Sequence, residues 1–385
     1  MLSCRFTILT AMLAASLAAA AQTSTTLKDA YRSSFHVGAA INEAQIAGTD
    51  ARGAEIAATQ FDSITPENVL KWERVHPKPG VYSFDLPDKY VAFGEKHHMF
   101  IVGHCLVWHS QVPDWVFEDG TGKPLTRDAL LKRLRDHIFT VVGRYKGRIQ
   151  SWDVVNEALN DDGTLRQSKW LKIIGDDYIE KAFEYAHEAD PQAQLNYNDY
   201  SLENEAKGRG AIALIEKLQA EGIPVAAVGI QGHDSLDWPS IEQEDASIAA
   251  FAKLGVKVAI SELDIDVLPP VAPGSADVSM TLKADPKLDP YVNGLPDAVQ
   301  EALAKRYAAL FRVYLKHRAE LSRVTFWGVT DGDSWRNNWP VRGRTSYPLL
   351  FDRSGQPKQA FYAVIQAAAR PGLSHGSDAI PIEGR

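Results

Sequence analysis

The sequence predicts an α/β protein, specifically a (β/α)8 TIM barrel, on three observations. Eight apolar, β-branched runs recur along the 385 residues, helical periodicities separate them, and polar or aromatic residues stand at the ends of most runs. The runs cover 36–42, 61–68, 99–108, 149–157, 193–200, 225–233, 256–265 and 323–331. Segments that stay apolar on both faces read as strands of a parallel sheet covered by helices. Between them 127–145, 178–189, 203–220, 241–254 and 297–321 carry apolar residues at helical spacing, and 358–369 closes the chain. Local signals agree: Ser240 with Gln243 fits a capping box, and Gly222 and Gly255 stand where C-terminal caps belong. Eight such units in about 345 residues fit a barrel with enlarged loops. No Gly/Ser linker divides 25–371, so these residues are expected to form one catalytic domain. A doubly wound open sheet is the alternative, but its Gly-rich dinucleotide fingerprint is missing from the first turn.

Composition narrows the setting. Residues 1–21 read as a secretory signal peptide: Arg5 is the only charge in the first 24 residues, an apolar core spans 6–20, and small residues surround Ala20 and Ala21. The run is shorter than the ~20 apolar residues that span a bilayer, so a secreted or periplasmic protein is expected, with no membrane attachment after cleavage. Cys4 would leave with the signal, and Cys105 alone can form no internal disulfide. A 45% hydrophobic composition supplies a large core, and a net charge of −8 argues against nucleic acid as partner. A monomer is expected. The tail 375–385, ending Ile382-Glu383-Gly384-Arg385, reads as a protease-cleavage scar from recombinant expression. The stretch 268–296, rich in Pro, Asp and Gly, should be a loop on the rim of the site or a mobile flap.

Barrel sites form at the C-terminal ends of strands. There the second run has Thr65-Pro66-Glu67-Asn68, with Lys71 and Trp72 following, and the third has Gly103-His104-Cys105-Leu106-Val107-Trp108-His109. The fifth ends in Asn196-Tyr197-Asn198-Asp199-Tyr200, the sixth in Gly229-Ile230-Gln231-Gly232-His233, and the eighth in Trp327-Gly328-Val329-Thr330-Asp331, ahead of Trp335. Any one of these has a core or capping explanation; their repetition around one barrel mouth points to a site.

Two glutamates sharpen the chemistry. Glu157 closes Ser151-Trp152-Asp153-Val154-Val155-Asn156-Glu157, and Glu262 lies within Val258-Ala259-Ile260-Ser261-Glu262-Leu263-Asp264. Each follows a buried run, where an unpaired carboxylate is costly. Two carboxyls across a scissile bond are the machinery of glycoside hydrolysis. Period-two geometry puts His104, Leu106 and Trp108 on one face, Gln231 with His233, and Glu262 with Asp264. His233 would then orient Glu262 and keep it ionised, with Asp264 fixing the tautomer; a strand-end cap is the equal alternative for Asp264. Asn156 suits a sugar 2-hydroxyl, and Glu67, Asn68 and Lys71 suit further hydroxyls. Trp108, Trp327 and Trp335 offer flat faces to sugar rings. Nine tryptophans point to carbohydrate more than to core, with Trp152 and Trp170 as core candidates.

On these motifs the chain resembles glycoside hydrolase family 10, the barrel endo-β-1,4-xylanases, over nearly all of the mature sequence. Thr65-Pro66-Glu67-Asn68 with Lys71-Trp72-Glu73, Gly103-His104 with Leu106-Val107-Trp108-His109, Trp152 through Ala158, Gly229 through His233 and Ile260 through Asp264 carry the likeness. The resemblance implies hydrolysis of xylan and xylo-oligosaccharides with retention of configuration, Glu157 as acid/base and Glu262 as nucleophile, and no metal or organic cofactor. It implies glycone contacts from Glu67, Asn68, Lys71, His104, Trp108, Asn156, Gln231, His233, Trp327 and Trp335, with Tyr200 toward the aglycone. Cys105, where the family usually has Thr, and Val69-Leu70, where an acidic residue and Met are usual, depart from the pattern. A β-1,4-glucanase or mixed cellulase/xylanase is the near alternative. A catalytically silent polysaccharide-binding barrel is the distant one, and the presence of both glutamates argues against it. A phosphosugar barrel would need a Gly-rich phosphate cradle that the last runs lack.

Overall fold

Each apolar run becomes a strand because its β-branched side chains can be covered on both faces, inside by the barrel and outside by helices. In the computed structural model, which describes residues 25–269 and 276–369, the strands are β1 (His36–Ile41), β2 (Ser63–Pro66), β3 (Phe100–Val107), β4 (Ser151–Asn156), β5 (Gln194–Asp199), β6 (Ala227–Ile230), β7 (His233–Ser235), β8 (Lys257–Asp266) and β9 (Leu321–Phe326). The proposed signal segment and the C-terminal tail lie outside the described residues. Neighbours pair in parallel from β1 to β6, β6 pairs with β8, β8 with β9, and β9 returns to β1. That closure makes an eight-stranded barrel and excludes the open sheet. The sixth predicted run is broken in two: Gly232 sits at φ 74°, and β7 resumes only alongside the end of β8, with His233 opposite Asp264.

A principal helix follows every barrel strand: Ala51–Gln60, Asp85–Lys96, Arg127–Arg144, Tyr178–Ala189, Glu205–Ala220, Ile241–Ala252, Asp297–Lys316 and Gln359–Ala369. Ser240 and Gln243 form the reciprocal capping box, and Gly222 and Gly255 are left-handed at φ 76°. The predicted helix 297–321 overruns. It stops at Lys316, because Leu321 is already buried in β9, whose ladder in turn ends at Phe326 rather than at 331. Among the described residues no helix is long and apolar enough to cross a membrane.

The barrel interior is tight and partly polar. Gly103 on β3 faces Trp152 on β4 so closely that a Cβ would come within 2.1 Å of the indole, which is fully buried. Removing a ring of that size from a core costs about 3–5 kcal/mol. Deeper, Asp153 pairs with Arg323 (3.4 Å) and is further held by Asn196 (3.0 Å) and His104 (3.1 Å), so this buried carboxylate is well partnered. This floor carries the side chains of the mouth.

Candidate active site

The ladders of β2, β3, β4 and β5 stop at Pro66, Val107, Asn156 and Asp199, with Glu67, Trp108 and Glu157 just beyond them, while His104 and Glu262 lie within β3 and β8. These side chains surround one open cleft at the barrel mouth. On one side Lys71 donates to Asn68 (3.2 Å) and to Gln111 (2.9 Å), and its ammonium lies 4.8 Å from the Trp108 ring. Glu67 lines the same wall, its carboxyl raised by burial against the opposing charge of Lys71. His104 is held through Nδ1 by Asp153 (3.1 Å) and stands edge-on to Trp327 at 5.2 Å. Trp335 closes the opposite wall and donates to Asp264 (2.8 Å).

Glu157 terminates β4 in a left-handed conformation, φ 55°, rare for a residue with a side chain and costing on the order of 1 kcal/mol or more. Its own N–H donates to the Asn198 carbonyl (2.8 Å), which fixes that turn to β5. One carboxyl oxygen accepts from Trp108 (2.8 Å), the other from Gln231 (3.1 Å) and Asn156 (3.3 Å). Burial, then the Asp199 carboxylate, raise this group to about 7, with Glu262 adding to the rise and the Trp108 and Gln231 hydrogen bonds opposing it. At neutral pH Glu157 is therefore poised between acid and base.

Glu262 is held differently. Asn198 donates to one oxygen (2.7 Å) and His233 contacts the other through Nε2 (3.2 Å), while His233 Nδ1 meets Asp264 at 3.0 Å. Burial alone would lower the His233 imidazole, but Asp264 and Glu262 outweigh it and raise it to about 9. The ring is thus a cation that donates from both nitrogens. Asp264 is itself anchored by Arg336 (2.8 Å). Between the two glutamates, Asn156 accepts from Asn198 (2.8 Å) and Gln231 (3.3 Å), so an amide bridge sets their relative position. One carboxyl is buried and ready to carry a proton; the other is steadied by a cation and an amide. That pair of environments suits proton transfer to a leaving oxygen beside nucleophilic attack.

Of the residues singled out from sequence, Glu67, Asn68, Lys71, His104, Trp108, Asn156, Glu157, Gln231, His233, Glu262, Trp327 and Trp335 all line this cleft. Asp264 stands behind His233, and Tyr200 lies outside the cleft wall. Tyr200 is buried, its hydroxyl accepts from Arg166 (2.8 Å), and the Lys207 ammonium lies 3.3 Å from its ring centroid. The tryptophan count overstated the site: three of nine line the cleft, while Trp72, Trp152 and Trp170 are core, the last donating to the Trp108 carbonyl (2.8 Å). Sequence reasoning named Asn198 at a strand end without giving it a role, and missed Gln111 and Arg336. Asn198 left a trace, since it follows Asn196 at period two and so shares its face of β5; Gln111 sits in a loop and Arg336 in a short 3-10 turn, neither with a pattern. Among the described residues no cluster of three or more His, Cys, Asp or Glu side chains is arranged to hold a metal ion.

Endo-1,4-beta-xylanase A of Xylanibacter ruminicola is 45% identical over 351 residues, covering 91% of this chain and 95% of the relative. A beta-1,4-xylanase of Dictyoglomus thermophilum is 42% identical over 342 residues, 88% of this chain and 90% of its own length. The structure of a family 10 endoxylanase retrieved from a sugarcane soil metagenome superposes with a TM-score of 0.86 at 46% identity, covering 88% of this chain and 99% of that one. Residues 26–367 match the family description "Glycosyl hydrolase family 10", so the chain belongs to glycosyl hydrolase family 10.

Proposed function

We propose that this protein is an exported endo-β-1,4-xylanase that cleaves internal xylosidic bonds with retention of configuration. The observation that carries the reading is the contrast between the two buried glutamates: Glu157 raised to about 7, Glu262 held by Asn198 and the His233 cation. Glu262 attacks the anomeric carbon while Glu157 gives its proton to the departing glycosidic oxygen, and a covalent glycosyl-enzyme forms. Esterification of Glu262 removes its negative charge, which lowers the proton affinity of Glu157. Glu157 then takes a proton from water as that water displaces Glu262, and the sugar leaves with its original configuration. The relatives described as xylanases support xylan as the substrate. The apolar run near the N-terminus supports export.

Proton NMR of the first product decides the stereochemistry: the β-anomer is expected, and initial release of the α-anomer would sink the mechanism. Glu262→Ala should abolish turnover. Glu157→Ala should lose about 10²–10⁴ on xylan, the usual worth of a general acid, yet keep the glycosylation step on an aryl xyloside whose phenolate leaves unaided. Equal losses on both substrates would reverse the assignment of roles. Rates on xylan against soluble cellulose separate the xylanase from a glucanase. N-terminal sequencing of protein recovered outside the cytoplasm should begin near residue 22 if the signal is cleaved.

A further inference from the structure

The loop that follows β8 has a described part, 276–296, that forms a wall of the cleft without belonging to the catalytic network. Its first residues alternate. Ala276, 3% exposed, and Val278, 37% exposed, line the catalytic cleft, while Asp277 between them points to anchors. The Asp277 carboxylate accepts from Arg166 (3.3 Å), and its backbone carbonyl accepts from Trp339 (3.0 Å). Arg166 in turn donates to the Glu157 carbonyl (3.2 Å), and Trp339 packs against Trp335 with the rings tilted and their centroids 4.6 Å apart. Asp277 is therefore tied on one side to the backbone of Glu157 and on the other to the opposite wall of the cleft. In the closed barrel β5 and β6 stand between β4 and β8, so this tie reaches past them from the loop after the Glu262 strand to the turn beyond β4. Ser279 donates back to Asp277 from its N–H (2.9 Å) and its hydroxyl (2.6 Å), and Leu282 donates to the Pro340 carbonyl (2.8 Å), which holds the segment to the loop beyond β9.

We propose that Asp277 and Val278 determine which xylan chains reach the catalytic pair, with Val278 as an apolar wall and Asp277 as the anchor that holds it in place. This rests on the xylanase reading above. Methyl groups pack against the C–H face of an unbranched sugar but offer no partner to the hydroxyls of a side-chain sugar, which would be buried unpaired against them. The wall thus rejects substituents on the sugar it faces and accepts the linear chain.

The test measures kcat/KM on linear xylohexaose, on arabinose-substituted and on glucuronate-substituted xylo-oligosaccharides, for the wild type, Asp277→Asn and Val278→Ala. Val278→Ala removes only wall, and should raise the branched-to-linear ratio at least about fivefold for both substituents, the scale of a small change in pocket volume. Asp277→Asn keeps shape but takes the counter-charge from Arg166, so the glucuronate ratio should rise more than the arabinose ratio. Ratios unchanged within about twofold in both variants would overturn the proposal. Should Asp277→Asn disturb Glu157 through Arg166, linear and branched rates fall together, and Val278→Ala still decides. A wild type inactive on linear xylohexaose would instead refute the xylanase reading, a separate outcome.

Discussion

Glu157 and Glu262 are the same amino acid, and the difference in what they can do comes from their donors and neighbours. The oxygens of Glu157 receive only neutral N–H donors, from an indole and two amides, whereas Glu262 receives one from the raised His233. Neutral donors leave burial and the nearby carboxylates in command, and Glu157 stays protonated up to about 7. The alkaline limb of kcat/KM should accordingly fall near pH 7, because above it the acid needed for the first step is lost. Replacing Glu262 by Gln removes one of the negative charges that raise Glu157, so the Glu157 titration, followed by ¹³C NMR of labelled glutamate, should move to lower pH. An unchanged or higher value would mean that burial and Asp199 account for all of the rise.

At the level of elements, the site depends on how closely β5, β6 and β8 approach one another. Asn198 on β5 lies opposite Gly229 on β6, and a Cβ on Gly229 would fall 2.1 Å from the Asn198 side-chain oxygen. That oxygen accepts from Ser261 (2.6 Å) while the amide of the same side chain donates to Glu262, so glycine is what lets the bridging amide reach the nucleophile. Gly229→Ala should push Asn198 aside and lower kcat about tenfold or more, with a stability loss of the size expected for an overpacked core, about 1–3 kcal/mol. A variant with wild-type kcat would remove Asn198 from the machinery. Such a bridge was not legible in the sequence, since it needs three strands in register. The strands themselves were legible, because a both-faces-apolar run has few other readings. The helix Asp85–Lys96 was hidden by Pro87 and Gly94, which look like breakers. Pro87 falls in the first turn, where it removes no helical hydrogen bond, and Gly94 is required because Ile101 packs where its Cβ would be. Glu157, Glu262 and His233 were readable from strand ends and period two. Arg166, Gln111 and Arg336 were not, because loop conformation alone brings them in.

Across the whole molecule the joint between barrel and outer helices carries an unusual load of buried acid. Glu203, Asp234 and Glu244 are all buried near Arg306, whose guanidinium lies 3.5 Å from Asp234. Their surroundings come from four elements: the turn before Glu205–Ala220, β7, the helix Ile241–Ala252, and Arg306 with Tyr314 on Asp297–Lys316. Arg306 acts on all three, Lys207 also on Glu203 and Arg336 also on Asp234, yet burial outweighs these cations and favours the protonated acids. Burial raises all three, and in Glu244 the charges of Glu203 and Asp234 add to it while Tyr314 and Arg306 oppose it. An acid whose folded value is raised contributes stability below its unfolded value that is lost as pH climbs toward the folded one, because the unfolded chain gives up its proton first. Glu244→Gln supplies a permanently neutral side chain of the same shape. Its melting temperature should match the wild type near pH 4 and exceed it increasingly above about pH 5, where the unfolded glutamate ionises. Thermal melts at pH 4 and pH 7.5 measure the difference. A variant equally destabilised at both would mean that Glu244 is ionised in the fold and that Arg306 is shared among the three.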